Sequence, residues 1–159
     1  MTRRGMGGLI ASAVLIATQA ACADQSTATT EGTDVADPVE GLSIDEAATT
    51  LRREVDALGD RVGTRREVRN DETVPCELPG GDGSPVAQQY ITAVRTQGDP
   101  TAQVTDTVVP AMDEAGWVLD AGPGEGSWTF TRDGYVVSVR LFPAQDRASV
   151  GGSSPCVQP

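Results

Sequence analysis

Trp128-Thr129-Phe130-Thr131-Arg132-Asp133-Gly134-Tyr135-Val136-Val137-Ser138-Val139-Arg140-Leu141-Phe142 is the stretch that decides the fold. Apolar and polar residues alternate on both sides of Asp133-Gly134, a pair that favours the positive backbone angles of a two-residue hairpin turn. A two-residue turn sets the register, so Arg132 faces Tyr135, Phe130 faces Val137 and Trp128 faces Val139. Trp128, Phe130, Val137, Val139 and Leu141 then share one face of the hairpin. Aromatic residues make up only 4% of the chain, so this face reads as core before it reads as a ligand platform. The opposite face presents Thr129, Thr131, Ser138 and Arg140 as a candidate partner-binding surface.

Working outward, Gly116 punctuates the chain and Trp117-Val118-Leu119 begins a strand. Asp99-Pro100 is a helix start, with Val104, Val108, Met112 and Ala115 on one face and Pro110 placed to kink or divide the helix. Between Ser84 and Gln97 two readings stand. Pro85 suits a helix start, whereas Tyr90, Thr92, Val94 and Thr96 suit a strand, and the strand is preferred. Arg147 to Val150 adds an expected edge strand.

A helix opens the domain. Ser43-Ile44-Asp45-Glu46 matches a capping box, and Ile44, Ala47, Ala48, Leu51, Val55 and Leu58 recur at helical spacing up to Gly59, a glycine stop. About 118 residues from Leu42 onward suffice for one modest core. The fold expected over 42–159 is a single α+β domain in two layers, with an antiparallel sheet of about four to five strands and two helices packed on one face.

The first residues follow the order of an export signal: Arg3 and Arg4, an apolar run from Gly7 to Ala17, then Ala20 and Ala21 before Cys22. That run is about half of the ~20 residues that span a bilayer, so 1–21 reads as a cleaved signal. Thr18-Gln19-Ala20-Ala21-Cys22 resembles the lipobox of bacterial lipoproteins, although Gln19 stands where that family usually has an aliphatic residue. The resemblance implies diacylglyceryl attachment to the Cys22 sulfur and an anchor on the outer face of the cell membrane. A rival site overlaps it, since Ala21-Cys22-Ala23 fits ordinary signal-peptidase cleavage and would release a secreted chain beginning at Asp24. Residues 22–41 are polar and acidic, too poor in large apolar groups to offset their ordering entropy, and read as a disordered tether.

Of three cysteines, Cys22 is accounted for at the processing site. Cys76 and Cys156 remain as an even pair in an oxidising compartment, in Pro/Gly-rich surroundings that favour a disulfide over two buried thiols.

The chain has no histidine, and all twelve of its basic residues are arginine. Without histidine, Ser/His/Asp and Cys/His nucleophile arrangements are excluded and the commonest metal ligand is missing. The chain beyond the signal carries ten arginines against 23 carboxylates, a formal charge of −13. Such a body is repelled by nucleic acid and by anionic headgroups, which leaves acyl chains on Cys22 as the route to a membrane.

Six of the ten arginines lie within the eighteen residues 52–69. Arg65 and Arg66 are the candidate partner-binding pair in this cluster. The simpler reading is a solvated helix face and an exposed strand, internally paired with Glu54, Asp56, Asp60 and Glu67. Asn70-Asp71-Glu72 and Gly80-Gly81-Asp82-Gly83 lack calcium-loop spacing and read as turns. No metal or cofactor is expected.

Taken together, the lipobox-like signal, acidic spacer, helix before Gly116-Trp117, antiparallel strands and terminal Ser153-Ser154-Pro155-Cys156-Val157 resemble small actinobacterial lipoproteins. The resemblance implies an α+β domain outside the cytoplasmic membrane and offers no catalytic residues to carry over. The expected role is therefore a non-catalytic domain that binds an envelope protein or ligand. Two other classes stay open: a carboxylate-dependent hydrolase of glycosidase type, which needs a facing Asp/Glu pair, and a lipid or glycolipid carrier, which needs an apolar cavity.

Overall fold

The computed structural model describes residues 41–76, 84–120 and 126–158. One six-stranded antiparallel sheet, ordered β1-β2-β6-β5-β4-β3, carries the helices on one face. The architecture is the expected α+β layering, with one strand more than the upper expectation. The signal, Cys22 and the tether up to residue 40 lie outside the described residues, as do Gly80 to Gly83. Among the described residues, no helix is long and apolar enough to cross a membrane.

Helix α1 (Ile44–Val62) begins as its sequence dictates. The Ser43 N–H and hydroxyl both donate to the Glu46 carboxylate, and the Glu46 N–H donates back to the Ser43 hydroxyl. These bonds hold the Glu46 carboxyl below its usual range, the side-chain bond contributing most. The C-terminal expectation is corrected: Gly59 does not stop the helix, which runs on to Val62 and is capped at Gly63. Gly59 is instead buried against Val94 and Thr92 of the sheet. A side chain at Gly63 would collide with the Arg95 carbonyl, so the chain can turn out of the helix and straight into β1 only with hydrogen there.

Strand β1 (Thr64–Pro75) is longer than the sequence suggests, because Asn70-Asp71-Glu72 is strand rather than turn. All three residues pair with β2 (Val86–Arg95), whose own strand identity resolves the two readings of 84–97. Local polarity misleads here because an edge strand with one solvated face tolerates a polar run.

The second helical segment starts at Asp99, whose carboxylate accepts from the Thr101 and Ala102 N–H groups to cap α2 (Pro100–Gln103). A π turn over Val104–Val108 follows, then α3 (Val109–Glu114). Pro110 lacks the N–H that would continue the α ladder, and the wide turn immediately before it is how this segment divides without breaking. Val104, Val108 and Met112 enter the core as their spacing implies, whereas Ala115, expected on the same face, caps the helix and is exposed. Gly116 closes the segment, its N–H reaching the Asp113 carbonyl while the Trp117 N–H reaches that of Met112.

Strands β3 (Val118–Asp120), β4 (Ser127–Arg132) and β5 (Tyr135–Phe142) form a meander. The hairpin register is as read from its turn, with Arg132 opposite Tyr135, Phe130 opposite Val137 and Trp128 opposite Val139. Asp133 and Gly134 both hold positive φ, 51° and 77°, as a two-residue turn of this hand requires.

Strand β6 (Arg147–Ser153) corrects the remaining expectation. It is no edge strand but lies between β2 and β5, its Val150 facing Thr92 on one side and Val139 on the other. Gly152 makes the insertion possible, because a Cβ there would run into the Val136 carbonyl. Beyond β6 the chain continues along β2. The Ser154 hydroxyl accepts from the Gln88 N–H, and Val157 exchanges two backbone hydrogen bonds with Val86. Cys156 is joined to Cys76, 80 positions earlier, with the two Cα atoms 6.2 Å apart.

Closing a loop of that length restricts the unfolded chain, a stabilisation of ~4 to 5 kcal/mol in the chain-entropy model. Cys156→Ser is expected to lower the unfolding free energy by about that amount in urea titration, and reduction of the parent protein should match it. A difference below ~1 kcal/mol would mean that the strand pairing of Val157 holds the tail without the bond.

Candidate functional site

Two of the six arginines of the cluster, Arg52 and Arg66, fasten α1 to the β1 edge of the sheet. Arg52 on α1 grips Asp71 on β1 through two nitrogens at 2.9 to 3.1 Å. Asp71 also accepts from Gln88 on β2, whose amide oxygen accepts from Thr73. Arg66 reaches back from β1 to Asp56 and Asp60 on α1, at 3.0 and 3.5 Å. Arg53 pairs with Glu54, and Arg69 pairs with Glu67. Arg61 donates to the Ala57 carbonyl of its own helix. The simpler reading of the cluster therefore describes Arg53, Arg66 and Arg69, and Asp71 is a partner that the turn reading of 70–72 concealed.

Farther along the sheet, Arg132 is held from three sides: it donates to the Ala115 carbonyl at 2.8 Å, approaches Glu54 at 3.4 Å and lies 4.4 Å from the centroid of the Trp117 ring. Arg147 approaches Glu67, and Arg140 lies over the Phe142 ring. Arg65 and Arg95 differ from all of these. Neither has a hydrogen bond, an ion pair or a ring contact through its side chain among the described residues.

The structure brings these two side chains to the same place. Thr64 is the register partner of Arg95, so pairing of β1 with β2 sets Arg65 beside the end of β2. Both arginines line a cleft of about 480 Å³ whose remaining wall is Thr64, the Thr96-Gln97-Gly98 turn and Asp146. Asp146 precedes β6, and its carbonyl accepts from the Thr96 N–H at 3.0 Å. Arg65 sits at φ 53° inside a bulge of β1, a left-handed conformation that costs an arginine energy in the absence of a local reason. Thr96 is buried, with 6% of its surface exposed, and its hydroxyl makes no hydrogen bond to the described residues.

The other candidate residues lie elsewhere. Thr129, Thr131, Ser138 and Arg140 are on the sheet face opposite the helices, as the alternation implies. Ser138 and Arg140 border a shallow furrow of about 360 Å³ shared with Ile91, Ser149, Gly151 and Ser153, while Thr129 and Thr131 fall outside its lining. Arg66 is turned to α1, away from Arg65's cleft. Cys22 lies outside the described residues. Arg95, Thr96 and Asp146 escape sequence reading altogether: each is an ordinary residue at the end of a strand or turn, and only strand pairing collects them.

Comparison with models of protein families, with curated proteins and with solved structures finds no match. The chemistry of the cleft is accordingly read from its own residues: two arginines, two threonines, a glutamine, a glycine and one aspartate.

One buried titratable group lies in the α1–sheet seam. The Tyr90 hydroxyl donates to Asp56 at 3.1 Å, and burial, reinforced by the Asp56 charge and this bond, pushes its ionisation upward. The folded chain thus keeps the phenol neutral to higher pH than the unfolded chain does. Its contribution to stability is complete below the ordinary tyrosine value of about 10 and declines as pH rises through the folded value. In an alkaline titration of phenolate absorbance, a late-ionising component is expected that Tyr90→Phe removes; an unchanged curve in that variant would contradict the assignment.

Proposed function

We propose that this chain is an exported, lipid-anchored domain that binds a partner or ligand outside the cytoplasmic membrane and does not catalyse a reaction. The observation that carries the reading is the Cys76–Cys156 bond. A disulfide across the whole domain suits an oxidising compartment, and it leaves Cys22 as the odd cysteine, at the end of an export signal where an acyl group would attach. The tether between Cys22 and α1 would hold the domain clear of the membrane through its own charge repulsion.

A binding role agrees with the way charge is distributed. Asp56, Asp71, Glu54 and Glu67 are each engaged in an ion pair with an arginine, so these carboxylates serve the internal pairing of the fold. The cleft at Arg65 is bordered chiefly by polar groups, which suits a polar ligand better than a lipid tail.

The test is the non-reduced intact mass of the protein extracted from its native membrane. A chain beginning at Cys22 with added acyl mass is the expected result, and Cys22→Ser should abolish membrane retention. A bare chain beginning at Asp24 in the culture medium would replace the anchored reading with a freely secreted one.

A further inference from the structure

We propose that the cleft between Arg65 and Arg95 is a binding site for a small ligand bearing a phosphate group next to hydroxyl groups. The inference rests on the reading of the domain as a binding module and names the chemistry of its ligand. Charge selection is the first argument. In a chain with an acidic excess of 13 beyond its signal, surface arginines have abundant carboxylates to pair with. Eight of the ten described arginines do find a carboxylate, a carbonyl or a ring. Arg65 and Arg95, 30 residues apart in the chain, are the two that do not, and both line one cleft.

Backbone cost is the second. Arg65 is one of three non-glycine residues with positive φ among the described residues. The other two, Asp133 and Asp146, are of a type that tolerates this region through local hydrogen bonding; arginine has no such compensation. The bulge that imposes the strain re-aims the side chain of an edge strand, a use to which bulges next to sites are commonly put.

The third argument lies in the wall. Thr96 is more than nine-tenths buried as a residue, but its hydroxyl oxygen reaches solvent, has no protein partner among the described residues, and belongs to a residue that lines the same cleft. The Gln97 and Gly98 N–H groups likewise donate to no acceptor among the described residues. A phosphate seated between the two guanidinium groups would accept from the arginines in the forked geometry they favour, and from the hydroxyl. Asp146 decides what else the ligand carries. Its carboxylate repels a bare polyanion and accepts from a hydroxyl, so a sugar phosphate or a glycerophosphate headgroup fits where inorganic polyphosphate does not. The volume, about 480 Å³, accommodates a group of that size.

The experiment uses the full chain with Cys22→Ser, which carries no acyl group, so that vesicle binding reports the cleft and not the anchor, and two sources of the same chemistry. Glucose 6-phosphate is titrated at low salt with amide chemical shifts as the readout, with glucose as the uncharged control. Phosphatidylglycerol vesicles in a sedimentation assay supply the lipid-borne form. Arg65→Asn removes the cation while keeping a residue suited to positive φ, Arg95→Gln removes the second, and Arg53→Gln changes the same net charge elsewhere. Expected are shifts at Thr64, Arg65 and 96–98 with glucose 6-phosphate and none with glucose. Binding should weaken about tenfold or more in Arg65→Asn and in Arg95→Gln, stay unchanged in Arg53→Gln, and fall with added salt. Vesicle binding with the same dependence on both arginines, in place of the soluble response, would support the site and assign it to a headgroup. No response to either probe, or a response that both variants retain, overturns the proposal. Cross-linking of the native protein to an envelope partner, undiminished in both variants, would at the same time leave the binding role standing and move it away from this cleft.

Discussion

Everything in this domain depends on β6 entering the sheet between β2 and β5. Without it there are two separate antiparallel pieces, the long pair β1–β2 and the meander β3–β4–β5, each with an unpaired edge. With it, the backbone groups of both inner edges are satisfied, and Ala148 and Val150 complete the core between the α1-facing residues of β2 and those of β5. The insertion is sterically conditional. Gly152 lies where any Cβ would strike the Val136 carbonyl, so two glycines in mid-strand, ordinarily a weakness, are here the condition for close strand approach. The same strand delivers Cys156 to Cys76 and Val157 to Val86, so the last described segment fastens both β6 and the start of β2.

Helix α1 shows how an acidic protein uses few cations. Its apolar stripe of Leu51, Val55, Leu58 and Val62 is buried in the common core, and burial of this kind supplies the larger part of the attachment, each such side chain contributing roughly 1.5 to 3 kcal/mol. The flanking pairs Arg52–Asp71 and Arg66–Asp56 are partly exposed and contribute at most about 1 kcal/mol each. Their importance is geometric: they fix which way β1 leaves the helix, and with it where the bulged Arg65 points.

Sequence periodicity was most legible where one element both packs and turns locally. The Asp133-Gly134 hairpin, the Ser43–Glu46 cap, the Asp99-Pro100 helix start and the Gly116 stop all involve residues within a few positions of each other, and the structure has each of them. Misreadings arose where a distant contact overrides the local signal. Gly59 resembles a helix stop, but tertiary packing against Val94 keeps it inside α1. Asn70-Asp71-Glu72 resembles a turn, yet pairing with β2 and the grip of Arg52 hold it extended. Arg147 to Val150 is too short and too mixed to announce a central strand. The candidate site shares this limit: Arg65 was visible as part of a basic run, whereas Arg95, Thr96 and Asp146 carry no local mark.

By itself the sequence determined the α+β class, the hairpin register, the cap of α1 and the cysteines available for pairing, because turn geometry, helical period and cysteine count act within a short span of chain. Only the tertiary structure decided the strand order, the central place of β6 and the separation of two adjacent arginines, Arg66 paired to α1 and Arg65 facing an open cleft. The reason is that pairing partners 50 or more positions apart, such as Thr92 and Val150, are selected by complementarity of whole faces, which no local stretch of residues contains.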